Sequence, residues 1–237
     1  MKLPSVLIFT PIYDKKDYAL PAFLEKAKAI NYPNKKHILI DNSPTMDYYH
    51  KLKAELEPQG FYVYHVDRGN NTREALTRSQ VFARRMALDE GFDYLMSIES
   101  DIMVPPVILQ WLIARMKPVV TVMYFIGDQA AGQKVPCVAV PEFHENIGVW
   151  GSRLLKVDEL GQFVNNGIVQ VHTGGMGGCL IRRDVFEKIT FYYDPRYKGH
   201  SDIYFFNDCF KHRIPVFVDT DIWCDHDNRP WDSVADR

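Results

Sequence analysis

Short apolar runs at Val6–Thr10, His37–Ile40, Phe61–Val66, Tyr94–Ile98 and Val119–Phe125 alternate with stretches of helical spacing at Tyr18–Ile30, Asp47–Leu56, Thr72–Glu90 and Pro105–Met116. This alternation restricts the fold more than any other feature of the chain. Parallel strands cannot be joined by a tight turn, so each pair needs a crossover, and a helix supplies it. The pattern therefore predicts a mostly parallel sheet with helices packed on it. Turn chemistry marks the ends of the runs: Pro11 closes the first, Asp41-Asn42-Ser43-Pro44 the second, and Asp67-Arg68-Gly69-Asn70-Asn71 the third, while Gly91 stops the long third helix. The second half is less regular. Gly127–Pro136 reads as a surface loop and Val138–Val171 as a smaller mixed sheet. The glycine cluster Gly174-Gly175-Met176-Gly177-Gly178 is followed by a helix near Asp184–Lys188, a helix over Ser201–Lys211 and a strand at Val216–Val218. Trp111, Leu112 and Met116 read as a core stripe.

A chain of 237 residues that is 46% hydrophobic and 24% charged suits one globular domain with a sizeable core, or one domain with a small appendage. Its net charge of −2 calls for neither a nucleic acid nor an anionic membrane as partner. The four cysteines (Cys137, Cys179, Cys209, Cys224) form no CxxC pair, which argues against a disulfide framework or a zinc ribbon and for a reducing compartment. Met-Lys-Leu-Pro-Ser leads directly into a strand without a signal-peptide core. The apolar stretch from Val107 to Ile126 is interrupted by Arg115, Lys117 and Pro118, so it does not read as a transmembrane helix. The expectation is a soluble, cytoplasmic protein with no integral membrane segment.

The chemistry concentrates at Glu99-Ser100-Asp101, where an apolar run ends in two carboxylates one residue apart. In a continuing strand both would point to the same face. Two such carboxylates at a buried strand end are costly unless a cation joins them, and a divalent metal carrying a phosphate meets that need. The C-terminal edge of a parallel sheet is also where open α/β folds bind ligands. Polar residues recur at the other strand ends, in Thr10-Pro11-Ile12-Tyr13-Asp14 and Asp41-Asn42-Ser43, so three ends can converge on one ligand. GxGxxG, GxxxxGK[ST] and GxSxG motifs are all absent, which argues against a dinucleotide fold, a P-loop and an α/β-hydrolase nucleophile.

In that order, these residues resemble the GT-A fold glycosyltransferases, specifically the large inverting group called family 2. The resemblance rests on Pro11-Ile12-Tyr13-Asp14 at the first strand end, Asp41 at the second, a helix arginine, Glu99-Ser100-Asp101 in place of Asp-x-Asp, Asp202 before a late helix, and His226 near the C-terminus. It departs from the group's pattern at Glu99, which is usually Asp, and at Ser201, where Glu is common. The resemblance implies a single GT-A-like domain over 1–237, with residues 1–125 as the nucleotide-sugar half and 126–237 as the acceptor half. It implies donor contacts from Pro11, Tyr13, Asp41, Glu99, Ser100 and Gly177, with Arg78, or Arg73 in a shifted register, facing the nucleotide. Asp101 and His226 would hold Mn²⁺ or Mg²⁺, the imidazole favouring manganese. Asp202 would act as base in transfer from a UDP-sugar to a hydroxyl acceptor: a saccharide, a protein or a modified nucleic acid.

Each residue also has a plainer reading. Asp41 can start an Asx turn, Asp202 can serve as an N-cap, His226 can be a core histidine, and the glycines can form an ordinary tight turn. Tyr192 and Tyr193 suit either an acceptor platform or loop packing. A catalytically silent nucleotide-sugar-binding protein is the alternative from outside the enzymes. A sugar nucleotidyltransferase is a weaker one, because the loop after the first strand lacks glycine.

Overall fold

The computed structural model describes residues 3–128, 133–145, 149–197 and 199–227. In chain order the first half contains β1 (Val6–Ile12), α1 (Leu20–Ala29), β2 (Lys35–Asp41), α2 (Asp47–Leu56), β3 (Tyr62–His65), α3 (Thr72–Asp89), β4 (Tyr94–Ile98), β5 (Ile102–Met103), α4 (Ile108–Ala114) and β6 (Val119–Met123). The second half contains β7 (Phe125–Asp128), β8 (Gln133–Pro136), β9 (Val138–His144), β10 (Val149–Leu154), α5 (Leu160–Phe163), β11 (Ile168–Val171), β12 (Thr173–Gly174), β13 (Gly178–Arg182), α6 (Arg183–Lys188), α7 (Ser201–Lys211), β14 (Val216–Trp223) and β15 (Asp225–His226).

Eight strands form the central sheet in the order β11-β14-β6-β13-β4-β1-β2-β3. The β1–β2, β2–β3, β1–β4 and β6–β14 pairs are parallel. Only β13 and β11 run against the rest. The chain leaves β1 on one side for β2 and returns on the other as β4, so the C-terminal ends of β1 and β4 flank a topological switch point, where such sheets open a crevice.

The sheet is buried on both faces, which is why its strands are continuously apolar. Val6, Ile8, Met96, Ile98, Val120 and Val122 pack with Phe23 of α1, Leu52 of α2 and Leu109 of α4. Leu7, Phe9, Leu95, Val119 and Ile181 face the other way, towards Ala83 of α3, Phe186 of α6 and Phe205 and Phe206 of α7. Local signals set the helix ends. Asn71 caps α3 by accepting from the Glu74 N–H at 2.9 Å, and Gly91 takes φ 77° beyond its last turn. Pro21 lies in the first turn of α1, where no intrahelical N–H is needed.

Three sequence expectations change. The Gly127–Pro136 loop is instead part of an antiparallel pair, β7 with β8, in which Ile126 sits opposite the buried Val135; residues 129–132 lie outside the described residues. The smaller sheet is antiparallel rather than mixed, in the order β10-β9-β12, and Ile168–Val171 leaves it for the edge of the main sheet. Of the expected stripe on α4 only Leu112 is core, since Trp111 is 47% and Met116 78% exposed. Met116 takes φ 51° just past the helix, which turns it away from the packed face.

Candidate active site

The site grows from the ends of β1, β2 and β4. Past β1 the chain makes one 3₁₀ turn, Asp14–Lys16, with the Lys16 N–H donating to the Tyr13 carbonyl at 2.8 Å. The Asp14 N–H donates to Ser43 Oγ at 3.0 Å. Ser43 in turn donates to Asp41 Oδ1 through Oγ at 2.6 Å and through its N–H at 3.0 Å. Asp41 Oδ2 lies 2.8 Å from His65 Nδ1 at the end of β3. Asp41 is fully buried, so it ties three strand ends together from beneath the site.

The neighbouring Asn42 is buried as well. A cavity of about 200 Å³ opens here, walled by Pro11, Tyr13, Lys16, Asn42, Arg68, Thr72, Glu99, Ser100, His200 and Asp202. The Arg68 guanidinium lies 4.0 Å from the centre of the Tyr13 ring, a cation–π distance, and donates to Thr72 Oγ1 at 3.0 Å.

The carboxylate segment is a turn rather than a strand. β4 ends at Ile98, and the Ile102 N–H closes back on the Glu99 carbonyl at 3.0 Å. Turn geometry, not two-residue alternation, therefore sets where the two acids point. Glu99 and Ser100 face the cavity. Asp101 is nearly buried and takes Lys16 Nζ at 2.7 Å on Oδ2. His226 arrives by a two-residue ladder, since β15 pairs with β5 and sets His226 opposite Ile102. Its Nδ1 lies 2.7 Å from the Phe125 carbonyl, which fixes that nitrogen as the N–H. Its Nε2 is thereby directed to Asp101 Oδ2, 3.5 Å away.

Burial pushes the Glu99 carboxyl up, the Asp101 charge adds to the shift, and Lys16 and His226 oppose it. Burial also disfavours charge on Asp101, but the His226 imidazole and the Lys16 ammonium outweigh it and hold this carboxyl below its usual range. Asp202 sits in the first turn of α7 and is pushed up by burial, with His200 opposing. Its Oδ1 accepts from the Ile203 N–H at 2.7 Å, leaving the other oxygen free of that contact.

Among the described residues no group of three or more His, Cys, Asp and Glu gathers closely enough to hold a metal by itself. Asp101 and His226 nonetheless fit two corners of an oxygen-rich ion whose remaining ligands come from substrate and water. The observation in favour is Asp101 Oδ1, a buried oxygen with no hydrogen-bond partner among the described residues.

Two other expected donor contacts lie elsewhere. Arg78 does not wall the cavity: it pairs with Asp67 and with Glu74 one helical turn back, on the exposed face of α3. Arg73 reaches the Tyr197 carbonyl. The cation facing the cavity from this side is Arg68, in the loop just before α3. Gly177 is buried behind Glu99, accepting the Glu99 N–H on its carbonyl at 3.0 Å and donating to Tyr124 Oη at 3.1 Å. A Cβ there would come within 2.9 Å of Ile102 and of the Tyr124 hydroxyl. The absence of a Cβ at these glycines admits the Tyr124 side chain. Lys16 and Arg68 are not among the expected site residues, whereas Asn42 belongs to the strand-end cluster Asp41-Asn42-Ser43 and His200 reads from sequence as structural or acceptor-facing; Arg68 carries the same kind of signal as Asn42, a turn cluster beside a strand end.

This architecture is that of the GT-A glycosyltransferases, and the likeness to solved structures establishes the fold. GalNAc-T7, solved with UDP, GalNAc and Mn²⁺, matches 98% of this chain and 45% of its own at 13% identity and TM-score 0.61. TarS 1-349 of S. aureus, solved in complex with UDP, matches 93% of this chain and 60% of its own at 14% identity and TM-score 0.55. A197 from STIV covers 94% of this chain and 85% of its own at 15% identity and TM-score 0.48. The chain thus spans about half the length of the first two. No protein-family model matches it, and neither does any curated protein.

Proposed function

We propose that this protein is a metal-dependent, inverting glycosyltransferase that moves a sugar from a UDP-sugar to a hydroxyl acceptor. The observation that carries the reading is the cavity at the switch point, which Glu99, Ser100 and Asp202 line together with Lys16 and Arg68. Two proteins of the same fold solved with UDP, one of them also with Mn²⁺, support the choice of donor and ion.

In this reading Tyr13, Asn42 and Arg68 receive the nucleoside, and Pro11, Glu99 and Ser100 border the donor. Asp41 acts from below by fixing the strand ends. Asp101 and His226 hold the ion, which when bound offsets charge on the departing diphosphate. Asp202 accepts the acceptor hydroxyl proton as that oxygen attacks the anomeric carbon. Its raised pKa makes it a stronger base than an exposed aspartate. Residues 1–125 bind the nucleotide-sugar, and the remainder, which forms the acceptor side, also supplies the metal-holding His226 along with Asp202 and His200. Four free thiols fit a reducing, cytoplasmic setting, and among the described residues no helix is long and apolar enough to cross a membrane.

The test is calorimetric titration with UDP, GDP, CDP and dTDP, each with Mn²⁺ and with EDTA. Selective, metal-strengthened binding of UDP is the expected result. Folded protein that binds none of the four under either condition overturns the donor assignment.

A further inference from the structure

The cavity already contains a cation in contact with the carboxylate assigned to the metal. Lys16 Nζ lies 2.7 Å from Asp101 Oδ2, and the lysine is also part of the cavity wall. Its side chain is 18% exposed against 4% for Asp101, so the ammonium stands between a buried acid and the solvent-facing space where a ligand enters. The other oxygen of the same carboxylate, Oδ1, is buried and without a hydrogen-bond partner among the described residues. A divalent ion taking that carboxylate meets Lys16 already in place. Two cations on one carboxylate repel, and the lysine is the one on a flexible four-carbon stem, rooted in a short 3₁₀ turn at the cavity edge.

Charge around the cavity gives the displaced ammonium a destination. Glu99 and Asp202 line the cavity and Asp101 lies behind Lys16, and among the cavity-lining residues only Lys16 and Arg68 are permanently cationic. Arg68 is occupied with the Tyr13 ring and with Thr72. A multiply charged diphosphate entering here meets Lys16, whose contact with Asp101 is the one a divalent ion would replace.

Building on the donor-site reading above, we propose that Lys16 is the resident cation of the diphosphate site. It neutralises Asp101 before the divalent ion arrives, and binds the diphosphate directly once the ion takes the carboxylate or when no ion is present. Lys16 then competes with the metal for Asp101 yet assists the nucleotide. A lysine serving only as a structural partner of Asp101 would have neither effect.

The experiment measures two affinities in wild type, K16M and K16R, with circular dichroism and a thermal melt to confirm folding. The first is Mn²⁺ binding to nucleotide-free protein, followed by the electron paramagnetic resonance signal of free Mn²⁺. The second is UDP binding in EDTA, by calorimetry. K16M should bind Mn²⁺ at least threefold more tightly than wild type, because the ion no longer displaces an ammonium. It should bind UDP in EDTA about tenfold more weakly or worse, as expected for a lost charge-assisted hydrogen bond. K16R, which keeps the charge, should retain UDP binding in EDTA to within about threefold of wild type. Unchanged or weaker Mn²⁺ binding by K16M overturns the proposal, as does unchanged UDP binding in EDTA. Wild type that binds UDP only with metal overturns it while leaving the donor reading intact. Wild type that binds no nucleoside diphosphate under any condition removes both.

Discussion

Acidification from pH 7.5 to 5 should destabilise the fold through one buried imidazole. His37 lies in β2, packed edge-on against Phe23 and Phe61 with ring centroids 6.1 and 5.1 Å away. Its Nε2 is 3.0 Å from Thr10 Oγ1, and its Nδ1 is buried without a hydrogen-bond partner among the described residues. Burial, with Lys35 nearby, pulls the His37 pKa down to about 3. The unfolded chain therefore binds a proton that the folded chain refuses anywhere between about 3 and the free-histidine value near 6.5. Because the folded-state pKa is the lower one, the neutral ring contributes fully above about pH 6.5. That contribution is lost as pH falls through the unfolded pKa, and the loss is complete only below the folded one. At pH 5 the linkage gives about 2 kcal/mol lost relative to pH 7.5, a large fraction of a typical domain's stability. Urea unfolding of wild type and of the double variant T10V/H37F, at both pH values, isolates the effect. The variant replaces both hydrogen-bonding partners with apolar groups, which is near neutral at pH 7.5, and all other titrating groups are shared. Wild type should lose about 2 kcal/mol more than the variant over this interval. Parallel losses in the two proteins would show that His37 does not exclude its proton and would refute the argument.

Three further outcomes follow from the site. D202N should lower kcat by about 10²–10⁴-fold while changing the UDP dissociation constant less than threefold, read by steady-state transfer assay and calorimetry; undiminished transfer removes Asp202 from the chemistry. Ser201 Oγ donates to Gln80 Oε1 at 2.5 Å between two buried residues, fastening the start of α7, and hence Asp202, to α3. S201A should cost about 1–3 kcal/mol and lower kcat with UDP affinity unchanged, and adding Q80L should recover stability but not kcat. At Gly175 a Cβ would overlap the Tyr124 ring and hydroxyl, so G175A should cost about 1–3 kcal/mol as an overpacked core. Combining it with Y124L should cost less than the sum of the single changes, measured by chemical unfolding in a double-mutant cycle.

The strands were legible because burial on both faces leaves no polar alternation to confuse the reading: Val6 and Ile8 serve one layer while Leu7 and Phe9 serve the other. The position of β13 was not legible. Cys179-Leu180-Ile181 reads as an apolar run, but nothing in it says that it enters antiparallel between β4 and β6, separating two strands that point the same way. Such placement is decided by long-range pairing and by the closeness that Gly174–Gly178 permits against β6 and Tyr124. The same insertion reshapes the site, since the Gly177 carbonyl takes the Glu99 N–H where β4 ends and the carboxylate turn begins.

Which residues line the cavity depends on turn geometry, to which a periodicity argument is blind. Lys15 and Lys16 are equivalent in sequence, and one 3₁₀ turn leaves Lys15 exposed while sending Lys16 to Asp101. The Arg78 pairing is legible in sequence, because Glu74 lies four residues before it and an i, i+4 ion pair is the expected partner on an exposed helix face. Arg68 sits where the helix has not begun, and its guanidinium is held by a ring from β1 and a hydroxyl from α3. The acids were easier to find than the cations for a physical reason. A carboxylate at a buried strand end is anomalous wherever it occurs, whereas a lysine or arginine in a loop is ordinary until the fold brings a buried acid to it.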